Sequence, residues 1–344
     1  MRTAFRGTAA LALVVGCSAP DEKTLGPEPA LVRANSGRTW TPVDLGSDPT
    51  YSGNVPEAIA RSGRIAGYGY RPGLPPVPSV TRETGTWHYL TPLVGDSGAT
   101  ATGVNSAGLV AGVSQTTTFG PFRPVYWRDG GVAQQVPGIT SGQAHGVSET
   151  GWIVGESYAP QFRGFRYRPG GAVEFLQPGT SYPFTQAFAV NDLGWAAGQV
   201  AGPMIWSPDG TPTPIRMPEA YTDGAARAIN RRGDVAGFIG NDAVSSRAFV
   251  RYRNRPLQLL QLPAGTSISY AHSIDARGAV YGWAAAGTPG SPLMDFIWVN
   301  GVPQPVPQVP GLQAFVYGVN QCGIMVGAAW DGQGYRAIRW DTAC

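Results

Sequence analysis

The sequence predicts an all-β protein: a seven-bladed β-propeller of four-stranded antiparallel blades, its last blade closed by the N-terminal strand. Three observations predict it. The composition opposes helix. A unit of about 43 residues recurs seven times. The two ends of the chain carry complementary fragments of that unit.

Composition comes first. Gly supplies 48 and Pro 31 of the 344 residues, charged residues make up 14 per cent, and Lys occurs once, at Lys23. Gly and Pro are the poorest helix formers, and Lys and Glu are among the better ones, so this balance opposes an α-helical protein. Gly does not recur at every third position, which excludes collagen. With 42 per cent hydrophobic and 10 per cent aromatic residues, the chain can bury a core, which argues against disorder. A turn-rich β protein remains.

The repeat decides the architecture. Its core reads AIARSGRIAG (58–67), GVNSAGLVAG (103–112), GVSETGWIVG (146–155), AVNDLGWAAG (189–198), AINRRGDVAG (228–237), SIDARGAVYG (273–282) and GVNQCGIMVG (318–327). The first glycines are Gly63, Gly108, Gly151, Gly194, Gly233, Gly278 and Gly323, spaced 45, 43, 43, 39, 45 and 45 residues apart. Asn or Asp bonding its own backbone, followed by a Gly that accepts positive φ, is turn chemistry. An alternating segment follows, carrying an aromatic at Trp127, Tyr167, Trp206, Tyr252, Trp298 and Trp340; unit one has Arg82 there. A turn and a short fourth strand complete each unit, as in RDGGVAQQVP (128–137). Period-two alternation such as Phe249, Arg251 and Arg253 against Val250 and Tyr252 fits strands. One such sheet cannot bury both faces alone, and radial packing of copies solves this while limiting exposed edges.

The termini complete the argument. GRTWTPVDLG (37–46) resembles a lone fourth strand, by comparison with GTWHYLTPL (85–93). The seventh unit stops after its third strand, at Trp340. The N-terminal strand should therefore complete the last blade, giving one closed assembly over residues 38–344.

Residues 1–16 read as a lipoprotein signal peptide. Arg2 and Arg6 form a basic start, and Ala9 to Gly16 is an apolar run too short to span a bilayer. Val14-Val15-Gly16-Cys17 resembles the bacterial lipobox, which implies a lipid on Cys17 and a membrane attachment through that lipid only. Ser18 after the Cys implies an outer-membrane or cell-surface destination. Residues 17–37, rich in Pro, Ala, Glu and Ser without periodicity, read as a flexible tether. Removing Arg2 and Arg6 lowers the formal charge from +3 to +1, and no basic cluster with interleaved aromatics exists, so nucleic acid is not an expected partner. With Cys17 lipidated, Cys322 and Cys344 remain as one pair. The end of the last third strand returns beside the turn that holds Cys322, so a Cys322–Cys344 disulfide is expected in an exported protein.

The units resemble the HAF-type extracellular repeat of bacteria, whose core is small-x-Gly-(Val/Ile)-Asn-x-x-Gly-x-(Val/Ile)-x-Gly. Residues 101–112, 226–237 and 316–327 match best, and Arg247-Ala248-Phe249 comes nearest to the three-letter signature. The resemblance covers nearly the whole mature chain. It implies a secreted or surface repeat protein and brings no catalytic residues with it.

Candidate chemistry is sparse. Gly95-Asp96-Ser97-Gly98 looks like a protease nucleophile loop, but no base partner accompanies it, and residues 94–99 fall in an ordinary inter-blade loop. His88, His145 and His272 are the only histidines, and no Cys-x-x-Cys or calcium-loop spacing appears, so neither a metal nor a cofactor is expected. A better constellation lies three residues before each turn's Asn/Asp position: Glu57, Thr102, His145, Phe188, Arg227, His272 and Tyr317. These are larger than their small neighbours and vary from unit to unit, with six residue types over seven units. Strand one is innermost in a propeller, so they should ring the central channel near one mouth. The loops joining strands two and three should open on that same face, and they vary in length. Variable insertions on one face mark binding surfaces in repeat proteins. The expected function is therefore a non-catalytic, monomeric, lipid-anchored surface protein that binds a protein or glycan. The alternatives are a propeller enzyme acting on glycans, as hydrolase or lyase, and a purely structural envelope protein.

Overall fold

The computed structural model describes residues 38–343, apart from 47, 49, 82–85, 118, 119, 129, 242–244 and 289. The signal peptide, the tether, Cys17, Arg82 and Cys344 lie outside the described residues.

The chain forms seven four-stranded antiparallel sheets arranged as a β-propeller. Blades one to six span residues 54–89, 98–135, 141–175, 186–214, 223–259 and 268–305. Each is a meander whose strand order follows the sequence. Blade seven takes three strands from 314–341 and its outer strand, Thr41–Asp44, from the N-terminus. Thr41 pairs with Asp341 and Asp44 with Ile338, so the ring closes as the complementary termini predict. Two groups lock that closure. Arg38 forms a buried ion pair with Asp275 of blade six at 2.7 Å, and the Trp40 indole donates to the Gly323 carbonyl at 2.9 Å.

Both glycines of the repeat have a physical reason. The first, as at Gly108, holds φ at +88°, a region that side chains other than Gly rarely adopt. The Asn before it does two jobs. Asn105 Oδ1 accepts from the Leu109 amide within the turn, and its Nδ2 donates to the Ser148 carbonyl of the next blade. The same latch joins Asn191 to Asn230, Asn230 to Asp275, and Asn320 to Ala60 across the closure.

The second glycine faces a β-bulge. In every blade the pairing of strands one and two skips one residue: between Pro56 and Ala58, Ala101 and Gly103, Ala144 and Gly146, Ala187 and Ala189, Ala226 and Ala228, Ala271 and Ser273, and Val316 and Gly318. The bulge presses strand one against the second glycine. A Cβ on Gly67, Gly112, Gly155, Gly198, Gly237, Gly282 or Gly327 would lie 1.8–2.1 Å from a strand-one carbonyl oxygen.

The core lies between blades. Ala60, Ala66, Val80 and Leu90 of blade one pack on Ala101, Val110, Val125 and Trp127 of blade two. Trp127, Trp206, Trp298 and Trp340 are fully buried. Each indole donates to a carbonyl just past the preceding blade's outer strand: Thr91, Gln177, Gln261 and Pro307, at 2.6–2.8 Å.

The register corrects the aromatic position in two blades. Val235 pairs with Arg251, so Arg251, not Tyr252, stands where blades two, four, six and seven place Trp. In blade one, Ala66 pairs with Val80 and the Ile65 amide donates to Thr81 Oγ1, so the equivalent residue is Thr81, not Arg82. An adjacent aromatic suggested the wrong register in blade five. The backbone ladder fixes the true one.

Gly155→Ala tests the bulge contact. Its Cβ would meet the Gln143 carbonyl oxygen at 2.0 Å, whereas a Cβ on Gly131 meets nothing closer than 3.3 Å. Gly155→Ala should cost at least about 1–3 kcal/mol in denaturant unfolding, the usual range for overpacking. Gly131→Ala should stay within about 0.5 kcal/mol of wild type.

A candidate ligand-binding channel

The seven skipped residues are Glu57, Thr102, His145, Phe188, Arg227, His272 and Tyr317. Bulges re-aim side chains, and here they turn one side chain per blade out of the ladder on its innermost strand. The structure brings these residues together. Thr102 Oγ1 donates to the Ala144 carbonyl of the next blade at 2.7 Å. The rings of His145 and Phe188 lie 5.6 Å apart, and the Arg227 guanidinium covers Phe188 at 3.9 Å. The charge of Arg227 acts on His272, and that of Glu57 acts on Tyr317.

The depth of the ring differs from expectation. In blade two, Thr102 lies two residues from the turn end of its strand (Gly98–Val104) and four from the other end. Gly98 pairs with Gln115, where the loop between strands two and three begins. The ring therefore lies roughly 13 Å below that loop mouth, at about 3.3 Å per residue. It floors the channel instead of rimming it, because the bulge sits where strand one meets the repeat's second glycine.

A second layer lies between ring and mouth, and the sequence reading overlooked it. It is formed by the residue after each second glycine: Tyr68, Val113, Glu156, Gln199, Phe238, Trp283 and Ala328. Their strand-one partners include Gln143, Gln186, Tyr270 and Phe315. The position is as variable as the ring, and that variability next to an invariant repeat glycine is the signal that marks it.

This layer has two sides. Blades three and four are polar. Glu156, only 5% exposed, accepts from Tyr158 Oη at 2.9 Å and from Gln186 Nε2. Gln143 donates to Tyr158 Oη at 2.7 Å, and Gln199 donates to Gln186. Blades five and six are aromatic. Tyr270 stacks on Trp283 at 4.3 Å and meets Phe238 at 4.4 Å, and all three rings are half-buried. Exposed aromatics continue to the mouth. Phe162, Tyr182, Phe184 and Trp330 are 37–50% exposed and sit in loops or strand ends on that face.

Burial sets the electrostatics. It pushes the Glu57 carboxyl up to about 7 and, with the charge of Glu57, pushes Tyr317 up to about 12. Burial, and then the charge of Arg227, pushes His272 down to about 4. Burial also acts to raise Glu156, but the close approach of His145 and hydrogen bonds from Gln186 and Tyr158 outweigh it, so Glu156 lies below its ordinary value. His145 Nε2 lies 3.4 Å from Glu156 Oε1, but off the hydrogen-bond direction. His145 Nε2 and His272 Nε2 are thus buried polar atoms without a hydrogen-bond partner among the described residues, a combination that calls for a reason.

The remaining candidates are structural. Asp96 pairs with Arg123 and accepts from Ser114, while Ser97 Oγ donates to the Thr116 carbonyl at 2.7 Å, so the protease-like loop is a turn tied to its neighbours. Among the described residues, no three His, Cys, Asp or Glu side chains cluster as metal ligands would.

No family model and no curated protein matches the chain. Solved structures do. The β-propeller domain of the Trilobed protease from Pyrococcus furiosus is similar at a TM-score of 0.58 and 10% identity, over 83% of this chain and 92% of that one. A streptogramin B lyase is similar at 0.56 and 11%, over 88% and 98%. A virginiamycin B lyase from Staphylococcus aureus with quinupristin is similar at 0.54 and 12%, over 88% and 99%. At such identities the likeness is one of fold.

The two half-buried ring groups Glu57 and His272 should oppose each other in pH dependence. Between its ordinary 4.5 and about 7, Glu57 holds a proton in the folded state that the unfolded chain has lost, so stability falls as pH rises through that window. His272 is neutral in the fold between about 4 and its ordinary 6.5, where the unfolded chain is protonated, so stability falls as pH falls there. Denaturant unfolding at pH 4, 5, 6 and 7 should therefore show Glu57→Gln gaining on wild type as pH rises, and His272→Gln gaining as pH falls. Profiles parallel to wild type would show that neither group is buried as described.

Proposed function

We propose that this protein is a non-catalytic, lipid-anchored surface protein of the HAF-repeat kind that binds a glycan in its central channel. Cys17 carries the lipid in this reading, and a Cys322–Cys344 bond pins the C-terminus beside the closure. The observation that carries the proposal is the two-sided layer of the channel. Aromatic faces at Tyr270, Trp283 and Phe238 offer apolar platforms, and the Gln143, Glu156, Gln186 and Gln199 group offers donors and acceptors. A sugar ring presents both kinds of surface, C–H faces and hydroxyl edges. Few convergent polar groups among aromatic walls is the usual composition of a small-ligand site. The floor adds His272 Nε2, which has no hydrogen-bond partner among the described residues, and His145 Nε2, which lies 3.4 Å from Glu156.

An array of bacterial surface glycans, followed by calorimetric titration of any hit, tests this. Trp283→Ala and Glu156→Gln should each weaken the hit at least about ten-fold, the effect of about 1.4 kcal/mol. Unchanged affinity in both variants rejects the channel as the site. One observation supports the enzyme alternative: a Glu57 carboxyl held near neutrality beside Tyr68 and Tyr317 could supply a proton. Product formed from the bound glycan, and lost in Glu57→Gln, would favour that reading.

A further inference from the structure

The opposite face of the propeller carries a second feature, unrelated to the channel. Blades two, four, six and seven each wedge an indole against the preceding blade. In blade five the same register position is Arg251. The carbonyl equivalent to those of Thr91, Gln177, Gln261 and Pro307 is that of Arg216, because the amide just before each makes the same contact with strand three. Among the described residues no indole donates to it.

A cavity of about 200 Å³ lies between blades four and five, and Arg251 is on its wall. Its base is apolar, formed by Leu193, Trp195, Ile205 and Ile229. The rest of the lining brings Arg231, Arg232 and Arg253 beside Arg251, with the neutral polar Asn191, Thr213 and Asn254. No carboxylate lines it. Arg232 is paired with Asp234 at 2.9 Å, but Arg231, Arg251 and Arg253 have no side-chain ion pair among the described residues. Burial acts against the Arg251 charge, which makes an opposite charge there more favourable still.

We infer that this cavity is an anion site, taking an oxyanion group, a carboxylate, sulfate or phosphate, on a small organic body. Guanidinium groups bind such groups through paired N–H donors, more strongly than neutral donors do. The volume, equal to roughly seven waters at about 30 Å³ each, limits the bound part to a small unit. The apolar base suits a compact body behind the charged group. The recognition needs Arg251 at the place where blades two, four, six and seven hold Trp.

Thermal unfolding in the presence of inorganic phosphate, sulfate or glucuronate tests this, against sodium chloride at equal ionic strength. Wild type should show a saturable rise in Tm with at least one of the three anions beyond the chloride control. Arg251→Gln should weaken the apparent affinity at least ten-fold. Arg251→Trp, which introduces the wedge that four other blades carry, should abolish the anion response while keeping or raising the basal Tm. A best response to glucuronate points to carboxylated sugars, and one to phosphate or sulfate points to ligands bearing those groups. Either supports the site. Equal anion responses in wild type and both variants, or none beyond chloride in wild type, overturn it. Glycan binding in the channel should be unaffected by either substitution, so the two sites fail independently.

Discussion

Seven times around the ring, an innermost strand runs so close to its neighbour that only a hydrogen atom fits between them. That contact, a strand-one carbonyl against the second glycine of the repeat, is the constraint on which the rest of the structure depends. It forces an extra residue into strand one, and the extra residue cannot take a place in the ladder. Its side chain must leave the plane of pairing. In a blade whose first strand is innermost, the direction left to it is the channel. The glycine that shapes the blade and the side chain that faces the channel are thus two results of one backbone distortion. The fold can keep the first invariant while the second varies freely.

The same division runs through the assembly. What repeats is structural: the turn glycine in every blade and, in four blades each, the Asn amide that latches one blade to the next and the indole that wedges against the preceding blade. What differs from blade to blade gathers at two places. One is the channel, with its floor of bulged residues and the two-sided layer above them. The other is the gap between blades four and five, where an arginine replaces an indole. The outer strand lent by the N-terminus, with Arg38 and Trp40 inserted beside it, makes the whole ring one cooperative object, since no blade can leave without opening two interfaces.

Much of this was legible in the sequence, and the limits have physical causes. Blade number and closure follow from local turn chemistry and from matching fragments at the two ends, both of which are sequence properties. Glu57, Arg227 and Tyr317 stand out because they are large among small neighbours. Why they stand out could not be read, because a bulge is a relation between two strands. The same cause hid the true register at Arg251 and Thr81, where an adjacent residue imitated the pattern, and it misplaced the ring relative to the loop mouth. Glu156, Phe238 and Trp283 went unnoticed for a different reason. They follow the most regular glycine of the unit, and attention to what repeats passes over the variable residue beside it.

Saturation substitution along the first strand of blade two, Gly98–Val104, scored by thermal stability, tests the central claim most directly. Thr102 should accept residues of any size with little change in Tm, while Ala101, fully buried, and Gly103, whose Cβ would meet the next blade's backbone at 3.0 Å, should accept almost none. The bulge breaks the alternation at Val104, 5% exposed, which should be as strict as Gly103; an unbroken period-two pattern, with Val104 as tolerant as Thr100 and Thr102, would contradict the bulge and the channel-facing ring that follows from it.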